Sequence, residues 1–599
     1  MPISTIGTNA IADNAIVTAD IAAGAVNLTT KVTGILPLAN GGIGNLQSFT
    51  HVILTSSGTW TVPALVTSIN VLVVAGGGSS GWMTAAAICK QLPFVKVNLV
   101  ESPDISTVGV GESTIGHINE FFRMLDLKDE DWMKYCNATY KTSIKFIDFK
   151  ENPDLTEDPI KFHYPFGRFD LSDKPRGLME WFIKKAHEKD LLTNNFAEFF
   201  HDSILMTDRN KLTKNENGKI RGFDFEADTA YHLDATLLGF YLRDKICIPA
   251  GLNHILEEVK EIKKNENGEI SNIITDKGTE LISDLYIDCT GFKSLLLEQT
   301  MNVKFKSFHD TLLNDRAIAT VLPYIDKDKE MENYTSCTAI ESGWVWNIPL
   351  WNRIGTGYVY SSKHSSEEQA LKDFKKHLIS NRMICSDKKR LEQAEFRYIN
   401  IKHGVHEKAW EKNVIGIGLA NGFIEPLEST GLMLTHEAII KMIKTLAMRD
   451  GKINRYDIDM FNFALGQQVE GFKDFISQHY ALTLRDDTPY WKEVSETIYS
   501  QDMNNLKTSL FDSAIRMSDA LHKNSAFNEH MSGIIYIAAG MGYNPVNLPK
   551  IKHLNKMYNE PDDLHEEVYK EWEIHKDEIL KYLESIQSHY GYLKENIYK

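Results

Sequence analysis

The sequence predicts an α/β protein: a Rossmann-like dinucleotide-binding core that carries an inserted β-sheet region and ends in helices. Three observations carry this. Val71-Leu-Val-Val-Ala75 is a run of β-branched and apolar residues that reads as a buried strand, and it enters Gly76-x-Gly78-x-x-Gly81 and then an Ala- and Ile-rich helix. A second apolar strand, Val95-Lys-Val-Asn-Leu-Val-Glu101, ends on a carboxylate twenty residues after the last glycine. Beyond about residue 432 the pattern turns helical, and residues 500–599 are charged and helical without a readable motif.

Each glycine of the loop has a mechanical reason. Gly76 suits a tight turn, Gly78 lets a pyrophosphate approach the backbone, and Gly81 permits close helix–strand packing. The helix opening at Ser79, Ser80 and Trp82 would aim free N–H groups at the phosphates. Glu101 stands where a ribose hydroxyl partner is expected. The alternative is a glycine-rich loop that binds nothing.

Composition bounds the rest. A chain of 599 residues is too long for one core, so at least two domains are expected. With 65 basic against 81 acidic side chains the net charge is −16, which argues against nucleic acid and gives no sign of an anionic membrane partner. Cys89, Cys136, Cys247, Cys289, Cys337 and Cys385 lie far apart without C-x-x-C spacing, so neither a disulfide framework nor a metal site is expected. No apolar run reaches the roughly 18 residues of a membrane helix, and no signal-peptide layout opens the chain. These features predict a cytoplasmic protein and do not oppose a homo-oligomer.

In chain order, residues 1–67 read as a separate segment. Residues 1–50 hold only three charged side chains, Asp13, Asp20 and Lys31, and branched residues recur every five positions at Ile6, Ile11, Ile16, Ile21 and Val26. That period suggests a thin repeat that stacks on copies of itself. Gly34-Ile-Leu-Pro-Leu-Ala-Asn-Gly-Gly42 and Ser57-Gly-Thr-Trp-Thr-Val-Pro63 resemble bacteriophage tail-fibre segments. The competing reading is a disordered low-complexity leader. Residues 68–495 read as the enzyme core, with inserted sheet and substrate regions at about 140–285 and 300–410, and 496–599 as a helical C-terminal region.

Within the core, Gly109-Val-Gly-Glu-Ser-Thr114 is a glycine turn bearing hydroxyls and a carboxylate, followed by an amphipathic helix from Ile115 to Leu127. Asn137 to Asp148 alternates like one strand. Asn215-Glu-Asn-Gly218 and Asn265-Glu-Asn-Gly268 read as hairpin turns. Leu285-Tyr-Ile-Asp-Cys-Thr-Gly291 and Val414-Ile-Gly-Ile-Gly418 read as strands returning to the first sheet.

Taken together, Gly76-x-Gly78-x-x-Gly81-Trp82, Gly109-Val-Gly-Glu-Ser-Thr114, Asp288-Cys-Thr-Gly-Phe292, Gly343-Trp-Val-Trp-Asn-Ile-Pro349 and Phe423-Ile-Glu-Pro-Leu-Glu-Ser-Thr-Gly431 resemble, in order, the motifs of the flavin-dependent tryptophan halogenases. The resemblance covers roughly residues 70–495. It implies a flavin-monooxygenase-type fold with FAD contacts at Gly76, Gly78, Ser79, Ser80, Gly81, Trp82, Glu101, Gly109, Glu112, Ser113 and Gly418. It implies a halide at Thr430 and Gly431, catalytic Lys141 and Glu428, and Trp344 and Trp346 between flavin and substrate. The implied chemistry is oxygen activation by reduced FAD to a flavin hydroperoxide, attack by halide, and delivery of hypohalous acid through Lys141 to an electron-rich aromatic or indole-type ring. With one dinucleotide fingerprint in the chain, a separate NAD(P)H flavin reductase is implied.

Read singly, the same residues have plainer readings. Lys141, Ser143 and Lys145 would share one face of a strand, a solvated polar edge. Glu428 before a helix would compensate its dipole, and Trp344 with Trp346 would be core packing. Lys145 and Glu425 are the decoys beside Lys141 and Glu428. The family's substrate loop often reads His-x-Phe-Gly; here it is His163-Tyr-Pro-Phe-Gly167, with Tyr164 where the histidine is expected, His163 one residue early and Phe166 in place. No segment clearly clamps an amino acid's carboxylate and amine. Two rival classes stay open: an FAD-dependent aromatic monooxygenase, and a non-enzymatic virion protein on a halogenase fold.

Overall fold

The computed structural model describes residues 71–103, 111–155, 158–167, 195–380, 387–449, 451–501, 503–505, 531–542 and 563–599, with a few isolated positions besides. The chain divides into two units, Met1–Val66 and Thr67–Lys599, and the description concerns the second. The repeat reading of residues 1–67, and Gly109, lie outside the described residues.

Strand Val71–Ala75 is the centre of a six-stranded sheet because Leu72, Val73, Val74 and Ala75 are all buried and only a central strand is covered on both faces. Lys96–Glu101 and then Asn253–Leu256 flank it on one side. Leu285–Asp288 and Val414–Gly416 flank it on the other, all parallel, and Trp410–Glu411 closes that edge antiparallel. Both later strands therefore return to the first sheet. Ala75, Asp288 and Gly416 lie in register at the strands' carboxyl ends, the usual side for a ligand in such a sheet. Helix Ser79–Gln91, with Ala85, Ala86, Ala87 and Ile88 fully buried, packs over this sheet and against helices Ala235–Leu242 and Gly431–Met448.

A seven-stranded, mostly antiparallel sheet forms the second layer, in the order Arg397–Asn400, Arg316–Leu322, Ile354–Tyr360, Gly343–Pro349, Tyr334–Ile340, Ser143–Ile147 and Lys161–Pro165. A third sheet holds three short strands, Glu112–Ser113, Ala230–Leu233 and Thr139–Lys141. Residues 137–148 are thus two strands in two sheets. The break is Thr142, whose N–H donates to Asn333 O at 2.8 Å and whose hydroxyl meets Thr207 Oγ1 at 2.8 Å.

The two asparagine–glycine turns differ. Asn265–Gly268 joins strands Val259–Lys264 and Ile270–Thr275 as a hairpin. Asn215–Gly218 does not: its Asn215 amide donates to Ile220 O and Phe223 O, tying the turn to its own loop instead of to a pair of strands. The C-terminal part is helical, with Pro489–Glu496, Met531–Gly540, Leu564–Glu584 and His589–Asn596. Helix Met531–Gly540 lies on strand Lys161–Pro165, where Gly540 allows Phe162 against the helix backbone. No described helix is long and apolar enough to cross a membrane.

Candidate active site

The glycine loop is built for close approach. Gly76 has φ +110°, and a Cβ there would stand 2.3 Å from Cys289 O. A Cβ on Gly81 would stand 1.8 Å from Gly76 O, so the helix start is pressed onto the loop. Gly78 caps the helix with no side-chain hydrogen bond, and no acid occupies the first turn. The helix start is left open to an anion. Glu101 lies across Gly77, its Oε2 only 1.3 Å from where a Cβ would be, and its Oε1 meets His254 Nε2 at 2.7 Å. Gly418, φ +68°, fits against Ser80 Oγ, whereas Ser79 Oγ donates to Ala235 O at 3.2 Å. Trp82 is placed in the core, edge-on to His254 at 5.0 Å and against Gly239. The donor-rich helix start and the carboxylate at the second strand's end fit a dinucleotide.

Lys141 and its neighbours do not form a solvated edge. Lys141 is 0% exposed, and Nζ donates to Thr114 O at 2.9 Å and Ser429 Oγ at 2.8 Å, 4.8 Å from the Phe166 ring centre. Burial pulls its pKa down to about 7, partly offset by Cys337 and Glu428. Lys145 belongs to the other sheet. Its Nζ donates to Asp208 Oδ1 at 3.1 Å, under the Tyr334 ring.

Glu428 ends a short 3₁₀ turn, Pro426–Glu428, and Ser429 follows with φ +59°. Glu428 is buried, which raises its carboxyl above the usual range, while His479 and Lys141 pull the other way. His479 Nε2 lies 2.7 Å from Glu428 Oε1, close but poorly aligned as a hydrogen bond. Its Nδ1 faces Ile476 O at 3.2 Å. With Nδ1–H donating to that carbonyl, one proton must serve Nε2 and the carboxylate. Glu425, by contrast, accepts from Asn314 Nδ2 at 2.8 Å and Trp344 Nε1 at 3.3 Å, a structural tie. Half-buried Glu112 is pushed up to about 7 by lost hydration and then by Asp234.

Thr430 caps helix Gly431–Met448 without a side-chain cap bond. Among the described residues its buried Oγ1 has no partner, and nothing fills the space beside Gly431. Free N–H groups, an orphan hydroxyl and room at a helix start fit a halide.

Strand parity separates the substrate-loop residues. His163 faces the side of Lys145: Nε2 meets Asp208 Oδ1 at 3.0 Å and Nδ1 meets Ser143 Oγ at 2.8 Å. Tyr164 faces the other way, edge-on to Phe166 at 6.2 Å and Phe475 at 6.0 Å, and stacked at 6.4 Å on Tyr536. Tyr164 and Phe166 thus join Lys141 and Glu428, while His163 does not. Trp344 and Trp346 lie 6.1 Å apart in the same core, Trp346 against Gly357, whose missing Cβ leaves room for the indole.

Sequence reasoning missed Ser429, His479 and Tyr536. Ser429 sits inside a motif already singled out. The other two stand in helices, one amphipathic and one apolar, with no local signal of a site.

The family model described as tryptophan halogenase matches residues 71–555. Tryptophan 6-halogenase SttH of Streptomyces toxytricini is 34% identical over 446 residues, covering 70% of this chain and 80% of that protein. Tryptophan 7-halogenase RebH of Lentzea aerocolonigenes is 30% identical over 550 residues, covering 88% of this chain and 98% of its own. The solved apo structure of VirX1 is 40% identical with a TM-score of 0.79, covering 89% of this chain and 100% of the other. The glycine loop, the buried lysine and the open helix start after Thr430 thus belong to a chain of the tryptophan halogenase family of flavin-dependent halogenases.

Proposed function

We propose that this protein halogenates an electron-rich aromatic or indole-type substrate, using reduced FAD from a separate NAD(P)H flavin reductase, oxygen and chloride, bromide or iodide. The observation that carries the reading is the fully buried Lys141, held by two acceptors in one pocket with Glu428 and facing the aromatic wall of Phe166.

Gly76, Gly78 and Gly81 with Ser80, Glu101 and Gly418 would hold the dinucleotide, and Glu112 and Ser113 would serve its flavin part. Bound reduced flavin supplies the oxygen activation that turns halide into hypohalous acid. The free N–H groups after Thr430 hold the halide. Two of the Lys141 N–H positions are committed, so its remaining position meets the electrophile. The ring carbon bonds the halogen as the halogen–oxygen bond breaks. Lys141 protonates the departing oxygen to water, and Glu428 accepts the ring proton. The Trp344–Trp346 pair would keep substrate and flavin apart. Tyr164 and Phe166 form the wall against which the substrate ring lies.

The deciding experiment incubates the protein with FAD, NADH, a flavin reductase and each halide against a panel of indoles and phenols. A halogen isotope pattern in the product supports the reading. Addition of one oxygen atom instead would establish the rival monooxygenase. Residues 1–67 carry the tail-fibre resemblance, which supports a phage-encoded enzyme acting in the host cytoplasm. Recovery of the chain from purified particles without flavin would favour the virion-protein alternative.

A further inference from the structure

Behind Lys141 runs a buried chain of hydroxyls. Lys141 Nζ donates to Ser429 Oγ at 2.8 Å, Ser429 Oγ to Ser113 Oγ at 3.1 Å, and Ser113 Oγ lies 2.6 Å from Thr335 Oγ1. Thr335 Oγ1 lies 2.9 Å from His232 Nε2, and His232 Nδ1 lies 3.3 Å from Thr139 Oγ1, which donates to Pro349 O at 2.6 Å. Every side chain in it is buried.

The far end sets the direction. Two oxygens 2.6 Å apart need a hydrogen between them, and the Pro349 carbonyl has none, so it is the Thr139 hydrogen. Thr139 Oγ1 then accepts from His232 Nδ1–H, which leaves Nε2 bare. Thr335 must donate to Nε2, Ser113 to Thr335, and Ser429 to Ser113. Ser429 has no hydrogen left for Lys141.

We propose that His232 is a positioning residue for Lys141: through Thr335, Ser113 and Ser429 it keeps Ser429 an acceptor towards Nζ and prevents it from donating. As an ammonium, Lys141 then has two N–H groups committed, to Thr114 O and Ser429, and a third free. As an amine it has the same two committed and its lone pair free. Either way the uncommitted position is the one open to the electrophile. The inference rests on the reading of Lys141 as the residue that meets the electrophile.

The direction requires a neutral imidazole. Burial, then the Lys141 ammonium and His589, hold His232 well below the ordinary histidine range. Those two are the titratable groups facing it among the described residues, and His589 is itself tied through Nδ1 to Met331 O at 2.9 Å. Facing Lys141 are Cys337 and Glu428, the latter paired with His479, with His232 at the end of the chain.

Thr335→Val keeps the shape and removes one hydroxyl. Ser113 loses its acceptor and turns to Ser429, and Ser429 becomes free to donate to the Lys141 amine. The amine then accepts an O–H···N bond in place of its own weaker N–H···O, an exchange the ammonium cannot make, so the Lys141 titration moves to lower pH by about half to one unit, on the order of one net hydrogen bond. Full-length protein carrying ¹³Cε-lysine reports that midpoint without flavin, with the signal assigned by its loss in Lys141→Met. Thr335→Ser should restore the parent midpoint. His232→Phe, which keeps a ring but no acceptor, should reproduce the acid shift if Thr335→Val folds poorly. In single-turnover halogenation the maximal rate should fall roughly three- to tenfold in Thr335→Val while flavin reoxidation is unchanged. An unmoved midpoint in folded Thr335→Val, or an equal shift in Thr335→Ser, overturns the inference. A shifted midpoint in a protein that halogenates nothing would leave the positioning role standing and defeat the proposed function.

Discussion

Replacing Lys141 with methionine should remove halogenation and, with it, the rise of fold stability with pH that this buried group imposes. Lys141 is 0% exposed and its pKa falls from 10.5 to about 7, chiefly by burial. At pH below the folded value the chain must hold an ammonium where it is poorly hydrated. The difference of 10.5 − 7, or 3.5, corresponds to a cost on the order of 5 kcal/mol. Between pH 7 and 10.5 the unfolded chain binds a proton that the folded chain does not, so this group makes the parent more stable as pH rises. Methionine has no such dependence. It leaves Thr114 O and Ser429 Oγ without their donor, at about 1–3 kcal/mol each, but that cost is nearly independent of pH. The parent should therefore gain on Lys141→Met by about 3 kcal/mol between pH 7 and 9, from 2 × 1.36 kcal/mol. Urea unfolding of both proteins, followed by tryptophan fluorescence at half-unit steps from pH 6.5 to 9.5, measures the difference. Parallel stability curves would refute the burial argument, and retained halogenation would refute the assignment of Lys141.

Four further outcomes follow from the same geometry. Lys145→Ala should keep halogenation, because Lys145 is paired with Asp208 in the other sheet, and should cost stability by removing the cation beside that carboxylate; thermal unfolding and product yield read the two effects separately. Glu428→Gln should lower the halogenation rate by roughly 10²–10⁴ with flavin reoxidation unchanged, as for a positioned acid–base group, measured by stopped flow and product quantification. Gly81→Ala should lose flavin binding in a flavin titration, because its Cβ would stand 1.8 Å from Gly76 O and the loop backbone must move. Removing residues 1–67 should leave flavin binding and halogenation intact and change at most the oligomeric state, read by light scattering.

The dinucleotide core was legible because its determinants are contiguous. Val71 to Ala75, three glycines, an alanine helix and Glu101 fall within 31 residues, and local pattern suffices. The strands at Leu285 and Val414 were legible for a different reason: each is a short apolar run ending in small residues, which suits only a buried parallel strand. The two-residue period failed at Thr142. Alternation from Asn137 to Asp148 is continuous in the sequence, but the backbone changes sheets there, so Lys141 and Lys145 end in separate environments that no periodicity distinguishes. The same period, applied to the substrate loop, places His163 opposite Tyr164, and the structure gives His163 to Asp208.

The pocket also needs residues that carry no local sign of it. His479 lies mid-pattern in an amphipathic helix and meets Glu428 across 51 positions of sequence, and Tyr536 reaches Tyr164 from a helix with no motif. Both have aromatic or apolar neighbours, so their sequence surroundings read as core. Burial is also what gives the site its chemistry. Taking Lys141 and Glu428 out of water moves both towards their neutral forms, in opposite senses of charge. A lysine drawn down to about 7 exchanges its proton near neutral pH, and a carboxyl drawn up is a better base for a ring proton than an exposed one. The cost of that arrangement falls on folding. The apolar packing of Phe166, Leu427 and Met433 in the same core must offset it, which is why the Lys141–Glu428 pair is enclosed by the larger sheet's core instead of standing on a loop at its rim.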